Sequence, residues 1–320
     1  MNHSPWYKNC RDQIDEANRK IRRGLHVKKG FITIVKNEAY NYLVDCIIRL
    51  IFESNRLEDA GLSEGETRKL IIDSKVLDKL KKFYESWPVG EGHEEWTSAL
   101  DQAQWTKKEK WSRSTREVAL HASAMILPLA EAQLFRSVKL KPEPGFVNNL
   151  FNEHSIQAMH AGLMDGLIPD EWKGLESGQY RNGPCHTDHE TFFTDCRNIP
   201  HAVREWIDRS NKLMLSKAPP ITKAARISYE FVAIHPFPDG NGRMSRIILN
   251  MVLRAEGLPF LAVLLGNKKE KHRYIVSLRH ANRGILESYE CLIAKAVIQG
   301  FEELKNKLIL AGVNPDQIKI

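Results

Sequence analysis

His235-Pro236-Phe237-Pro238-Asp239-Gly240-Asn241-Gly242-Arg243-Met244-Ser245-Arg246 places a base, a carboxylate, a glycine-rich turn and two arginines in one loop and one helical turn. The segment before it, Thr222 to Ile234, carries Ile227, Phe231 and Ile234 at helical spacing, with Ala225, Ser228 and Val232 beside them, and reads as a buried amphipathic helix. Pro236 ends that helix. His235 is its last residue, positioned for a neutral imidazole to take a proton from an attacking hydroxyl. Asp239 is a hard oxygen ligand of the kind magnesium takes together with substrate phosphates. Gly240, Asn241 and Gly242 permit positive φ and close backbone approach, and they open a second helix whose N-terminus favours an anion. Arg243 and Arg246 share one face of that helix, while Ile247, Ile248, Met251, Val252 and Ala255 are expected to bury the other, until Gly257 and Pro259 stop it.

Outward from this loop the chain reads as helical. Tyr40, Leu43, Val44, Ile47, Ile48 and Ile51 define a helix over Asn37 to Phe52. Ser63 followed by Glu66 forms a capping box that opens the next helix, through Leu70, Leu77 and Leu80, so a helical hairpin is expected. Glu85 to Ser112 is polar with four spaced tryptophans, and helical patterning resumes from Arg116 to Phe135. Pro142, Pro144 and Gly145 mark a turn, and Ser288 to Leu310 is a last amphipathic helix.

The central string fits HPFx(D/E)GNGRxxR at every fixed position, and in this it resembles the signature of Fic-domain proteins, most of which transfer AMP from ATP to a protein hydroxyl. The resemblance extends loosely over Glu153 to Gly284. It implies an all-α fold: a Fic-like helical core with a short flap, β-hairpin or irregular, preceded by an N-terminal helical region. The expected organisation is residues 1–127 as that region, with an inhibitory helix near 37–60, residues 128–300 as the catalytic domain, and 301–320 as the end of the C-terminal helix and a tail. Carried over residue by residue, the resemblance makes His235 the general base, Asp239 the magnesium ligand, Gly240, Asn241 and Gly242 the anion hole, Arg243 a ligand of the nucleotide phosphates, and Arg246 the partner of the γ-phosphate. It makes Phe237 a core anchor and places Tyr274 and Asn282 beside the adenine. Ile156 to His160 resembles the helix that opens the family core, and Gly178 to Asn182 the start of the flap.

Two departures stand out. Arg181 to Asn198 shows little period-2 alternation, so strand pairing in the flap should be short or irregular. The same stretch holds Cys185, His186, His189 and Cys196, a zinc-capable set whose spacing fits no standard finger, so an ordinary exposed loop is the expected reading. The second departure lies far upstream. Ser54-Asn55-Arg56-Leu57-Glu58-Asp59 resembles the family's inhibitory pattern (S/T)xxxE(G/N), whose glutamate pairs with the second signature arginine and blocks the γ-phosphate. Ser54 and Glu58 are thus candidate inhibitory residues, with Asp59 a second carboxylate near the negative pole of the helix.

Composition narrows the setting. The 320 residues are 42% hydrophobic, enough for a substantial core. Five scattered cysteines and a polar N-terminus without an apolar signal core lead us to expect an intracellular, cytoplasmic location. The most apolar run, Leu43 to Phe52, is interrupted by Asp45 and Arg49, so no membrane span is expected. The excess of 47 basic over 40 acidic residues, net +7, comes as runs interleaved with acids, as on solvated helix faces, and no nucleic-acid-binding pattern accompanies it. Self-association stays open. The resemblance implies a protein adenylyltransferase that uses ATP and Mg2+, acts on a Ser, Thr or Tyr hydroxyl of a protein target, and is autoinhibited by Glu58. The alternatives are removal of AMP, or transfer of UMP or phosphocholine, on the same fold. A non-enzymatic interaction protein is the third reading.

Overall fold

The computed structural model describes residues 5–27, 32–73, 111–125, 128–129, 131–132, 135–136, 149–172, 174–185 and 193–319. In chain order the longer elements are α1 (Pro5–Arg23), β1 (His26–Val27), α2 (Ile32–Leu57), α3 (Glu64–Ile72), α4 (Arg113–Ala124), α5 (Glu153–Met164), α6 (Ile199–Leu215), α7 (Pro220–Ile234), α8 (Asn241–Glu256), α9 (Lys268–Asn282), α10 (Glu287–Leu310) and β2 (Ile318–Lys319). Among the described residues the fold is all-α apart from one short antiparallel pairing, His26 with Lys319 and Val27 with Ile318.

α8 is the centre. Its neighbour in sequence, α7, packs along it, α6 packs on the far side of α7, and α10 lies against α1, α2, α7 and α9. The apolar set expected from the spacing, Ile247, Ile248, Met251, Val252 and Ala255, is buried, and the rest of α8 is enclosed as well, with Leu249, Leu253, Asn250 and Arg254 out of water. A helix apolar over most of its circumference belongs in the middle of a bundle, and its polar residues then need partners within the protein. Asn250 supplies one such set, its Nδ2 donating to the carbonyls of Arg246 (3.0 Å) and Ala262 (3.1 Å) while its Oδ1 accepts from Ala262 N (2.8 Å). This pins the segment leading to α9 onto α8. Trp206 ties α6 to α7 by donating to Ile227 O at 3.0 Å.

α2 is longer than its apolar pattern indicated, beginning at Ile32 and reaching Leu57, so Ser54 lies within the helix and Glu58 just past its end. Leu43, Ile47, Ile48, Leu50 and Ile51 bury its length in the core. The capping box at Ser63 forms, with Ser63 Oγ accepting from Glu66 N and Ser63 N donating to Glu66 Oε2. Leu77, Leu80, Trp87, Trp96 and Trp105 lie outside the described residues. α10 continues without a break across position 300. Residues 186–192 of the flap are likewise outside the description, and the described residues on either side form no strand. Among the described residues, no helix is long and apolar enough to cross a membrane.

Replacing Asn250 with Ala strands the Ala262 amide and carbonyl in the interior. The expected cost is about 2–4 kcal/mol of unfolding free energy, read from urea denaturation. A loss below ~0.5 kcal/mol would show that the segment is held by packing alone.

Candidate active site

α7 ends because Pro236 cannot continue it, and His235 takes up the change of direction at φ 53, ψ 59. That left-handed conformation costs a residue with a Cβ about 1–2 kcal/mol, so its surroundings must hold it. They do so at three atoms. Arg181 Nε donates to His235 O at 2.7 Å, Arg181 N donates to Pro236 O at 2.9 Å, and the imidazole Nδ1 lies 3.2 Å from Val232 O. A carbonyl only accepts, so Nδ1 carries the proton and Nε2 presents a bare lone pair. Burial pushes the imidazole pKa down to about 4, and the positive charge of Arg181 reinforces the effect. At neutral pH the ring is uncharged.

The loop beyond is closed from within. Asn241 Oδ1 accepts from Phe237 N (3.0 Å) and its Nδ2 donates to Phe237 O (2.8 Å), so its side chain braces the loop. Phe237 is fully buried, stacked on His160 at 3.8 Å between ring centres and tilted against Tyr180 and Phe231. His160 Nδ1 accepts from Gly178 N (2.8 Å), which leaves its Nε2–H to donate to Asp239 O (3.0 Å). Gly240 sits at φ 77, and a Cβ there would lie 2.9 Å from Met164 Sδ. No side chain caps α8. The leading amides of the helix are therefore open to an anion.

Both arginines of α8 are buried, Arg243 to 2% exposure and Arg246 to 1%. Arg246 is engaged: Nε donates to Ser54 Oγ (2.7 Å), and Nη2 donates to Ser54 O (3.0 Å) and Glu58 Oε1 (2.6 Å). Burial would raise the Glu58 pKa, but the charge and hydrogen bond of Arg246 override it and hold the carboxyl below its ordinary range. Among the described residues Arg243 meets Met164 Sδ at 3.2 Å and Asp239 Oδ2 at 3.6 Å, and none of them partners its Nε and Nη1.

A cavity of about 460 Å³ opens on this arrangement, lined by Glu58, His235, Gly242 and Arg246 together with Tyr229, Tyr274 and Asn282, the Arg246 guanidinium lying over the Tyr274 ring at 5.8 Å. Tyr229 donates its hydroxyl proton to Asn282 Oδ1 at 2.9 Å. Of the residues singled out in the sequence, Glu58, His235, Gly242, Arg246, Tyr274 and Asn282 line the cavity. Ser54 is buried behind Arg246, and Asp239, Gly240, Asn241 and Arg243 form the loop and helix start beside it. Cys185 and Cys196 are described but His186 and His189 are not, and no group of three or more metal-ligating side chains occurs among the described residues.

The Ser54–Glu58 turn is braced by residues that the sequence did not single out for this task. Gly61 N donates to Glu117 Oε2 (2.9 Å), and His121 Nδ1 lies 3.3 Å from Asn55 Oδ1, both partners coming from α4. Gly266 N donates to Glu53 Oε2 (2.7 Å), and a Cβ at Gly266 would stand 2.7 Å from Glu53 O and 3.0 Å from Leu57 N, so only glycine lets α2 seat there. Asp59 adopts φ 54, the conformation that Gly or Asn takes readily, and its carboxylate turns away to Lys271 Nζ at 2.7 Å. Its charge is thus met by a cation rather than left facing the helix pole.

Residues 150–253 match the Fic/DOC family. A Fido domain-containing protein of Dictyostelium discoideum is 47% identical over 121 residues, which are 38% of this chain and 78% of that protein. A protein adenylyltransferase Fic of Nematostella vectensis is 32% identical over 126 residues, 38% of this chain and 27% of the relative. Its counterpart in Aedes aegypti is 39% identical over 149 residues, 46% of this chain and 28% of the relative. The chain thus spans little more than a quarter of the length of those two transferases. Two solved structures share the fold. A Fic domain containing signaling protein from Bacteroides thetaiotaomicron superimposes with a TM-score of 0.60 at 19% identity, covering 94% of this chain and 97% of the other. Fic-1 from C. elegans gives 0.54 at 20% identity, covering 93% and 71%.

His160 is held near a pKa of about 4 by burial, whereas an unfolded imidazole titrates at 6.5. Between these values the unfolded chain binds a proton that the folded chain refuses. Stability should therefore fall as pH drops from 6.5 toward 4, by on the order of 3 kcal/mol from this group, and this contribution should level off below. Urea unfolding across that range should show the slope, and His160→Gln should lessen it, His235 contributing a slope of its own over the same range. An unchanged slope in the variant would mean that His160 titrates normally.

Proposed function

The chain belongs to the Fic/DOC family, and on that premise we propose that it is a protein adenylyltransferase, moving AMP from ATP to a Ser, Thr or Tyr hydroxyl of a protein target and restrained by Glu58. The observation that carries the reading is a bare imidazole Nε2 beside an uncapped helix start and a buried guanidinium with two unpaired nitrogens. The phosphates of ATP match those donors in charge and geometry. The hydroxyl oxygen attacks the α-phosphorus as its proton passes to His235 Nε2. The bond from that phosphorus to the bridging oxygen breaks, and pyrophosphate departs. Positioning and fixed positive charge supply most of the catalysis in such transfers. Tyr229, Tyr274 and Asn282 line the same cavity and are proposed to border the adenine.

Asp239 suits a magnesium ion. Its side chain is 39% exposed beside the cradle, its Oδ1 accepts from Gly240 N at 2.5 Å, and a site of one carboxylate completed by phosphates needs no cluster of protein ligands. The ion when bound would neutralise phosphate charge.

Glu58 has the geometry of an inhibitor: its carboxylate occupies Arg246, the guanidinium proposed for the γ-phosphate, and a Cβ on Gly242 would run into it. A second reading follows from the same position. The Glu58 side chain is 38% exposed on the cavity wall it shares with His235, where it can orient a water that removes AMP from a modified protein.

With α-labelled and γ-labelled ATP, label should reach protein only from the α position. His235→Ala should lower the transfer rate at least about a hundredfold while calorimetric ATP affinity stays near wild type, because the imidazole acts on the hydroxyl and not on the nucleotide. Joint loss of affinity and activity would contradict its role as the base. Glu58→Gly should raise transfer by about tenfold or more, since misplacement of the reacting phosphorus by about 1 Å costs on the order of a hundredfold. Arg246→Ala breaks the same ion pair but also deletes a phosphate ligand, so it should not be activated. Equal self-modification by wild type and Glu58→Gly would remove the inhibitory assignment.

A further inference from the structure

We propose that Arg181 is a positioning residue for the transfer, fixing the flap and the His235 turn to each other so that the imidazole meets the target hydroxyl at a set distance and angle. This inference rests on the reading of His235 as the base. The Arg181 guanidinium is 2% exposed, and the partners it binds are backbone carbonyls: Nε donates to His235 O at 2.7 Å, Nη1 to Gly183 O at 2.7 Å, and Nη2 to Thr194 O. Gly183 and Thr194 stand on the two limbs of the flap, and His235 stands on the catalytic loop. One planar fork therefore sets the distance among three segments that are separate in sequence.

Asp195, which follows Thr194 in the chain, is taken up by Arg197, with contacts of 2.6 and 3.0 Å. Among the described residues the hydrogen-bond partners of Arg181 are neutral carbonyls, and a buried charge so met is a poor source of stability. Its value lies in geometry, because the five donors of a guanidinium are rigidly arranged whereas a lysine ammonium offers a single flexible point.

What the fork holds bears directly on the reacting group. Thr194 is preceded by Phe193, whose ring stacks on the His235 imidazole at 3.9 Å between centres and 21° between planes. The imidazole is thereby fixed on three sides. Its backbone carbonyl is held by Arg181, its Nδ1 by Val232, and one ring face by a flap residue that Arg181 anchors through the next carbonyl. Nε2 is left as the free edge. Loss of Arg181 releases the strained turn at φ 53 and the stacked phenylalanine together.

The test uses the full chain carrying Glu58→Gly as the parent, with Arg181→Ala and Arg181→Lys added. Expected is a fall in kcat of roughly a hundredfold for Arg181→Ala, and of roughly tenfold for Arg181→Lys, which keeps the charge and loses the fork. Calorimetric ATP affinity and stoichiometry should stay near the parent values, because neither limb of the flap nor His235 O is a proposed phosphate ligand. Millimolar guanidinium should restore part of the Arg181→Ala rate. A second readout needs no activity: the His235 Cε1–H resonance, shielded by the Phe193 ring in the parent, should move to its unstacked position in Arg181→Ala. A kcat within about threefold of the parent in both variants, an unmoved resonance, or ATP stoichiometry falling in step with kcat would overturn the proposal. A parent that transfers no AMP while the resonance moves as expected would instead refute the transferase reading and leave the positioning geometry standing.

Discussion

Two guanidiniums on α8, Arg243 and Arg246, are almost wholly removed from water, and much of the structure answers that fact. A buried cation costs several kcal/mol unless anions or well-placed acceptors surround it. Arg246 receives Ser54 and Glu58 from the end of α2, a segment 188 positions away in the chain. Arg243 receives less, a thioether and one carboxylate oxygen at 3.6 Å. Each guanidinium thus has one carboxylate, but the contact to the partly exposed Asp239 is long, so Arg243 is the more weakly neutralised of the two, as the proposed polyphosphate site requires. The restraint on activity needs no separate machinery on this view. Under the proposed reading Glu58 and a phosphate are alternative anions for one guanidinium.

Such a restraint is useful only if it can be released, and the contacts that seat the turn are graded accordingly. The hydrogen bonds from α4 and the close approach at Gly266 fix where α2 ends. The pair between Asp59 and Lys271 is largely exposed on the Asp59 side, and an ion pair of that kind is worth at most about 1 kcal/mol. The position of α2 is thus specified by buried geometry, while its tip is held by interactions that water can replace.

The catalytic loop was legible in the sequence because its parts are contiguous: a helix stop, a carboxylate, a glycine turn and two arginines within twelve positions leave a local trace. The all-α class was legible from 3.6-residue periodicity. Ser54 and Glu58 were legible only through a family resemblance, since nothing local to residues 54–58 announces a partner at 246. The work of Arg181, His160, His121 and Gly266 was not readable at all, for one shared reason. Arg181 and His160 bind backbone atoms of distant segments, His121 meets a single amide oxygen on α2, and Gly266 acts by the absence of a Cβ. Contacts of these kinds leave no pattern of residue types in the chain. The apolar face of α8 was legible from spacing, but the enclosure of Arg246 was not, because the hydroxyl, carbonyl and carboxylate oxygens that meet it come from Ser54 and Glu58, far away in the chain.

The shape of the cavity decides what kind of inhibition Glu58 can exert. Its carboxylate lines the cavity together with His235, Gly242 and Arg246, and the Arg246 guanidinium lies over the Tyr274 ring at 5.8 Å, while Tyr229 and Asn282 line the same cavity. Under the proposed reading a nucleoside lodges beside Tyr229 and Asn282 with Glu58 in place. A triphosphate cannot place its terminal phosphate on Arg246 until Glu58 leaves. Under the proposed reading the restrained enzyme therefore binds ATP with its phosphates diverted. The loss falls on the line connecting the hydroxyl oxygen, the α-phosphorus and the departing bridge, rather than on affinity. Because in-line geometry is steeply sensitive to small displacements, a single misplaced carboxylate is enough to silence a site whose base, cradle and anchors are already assembled.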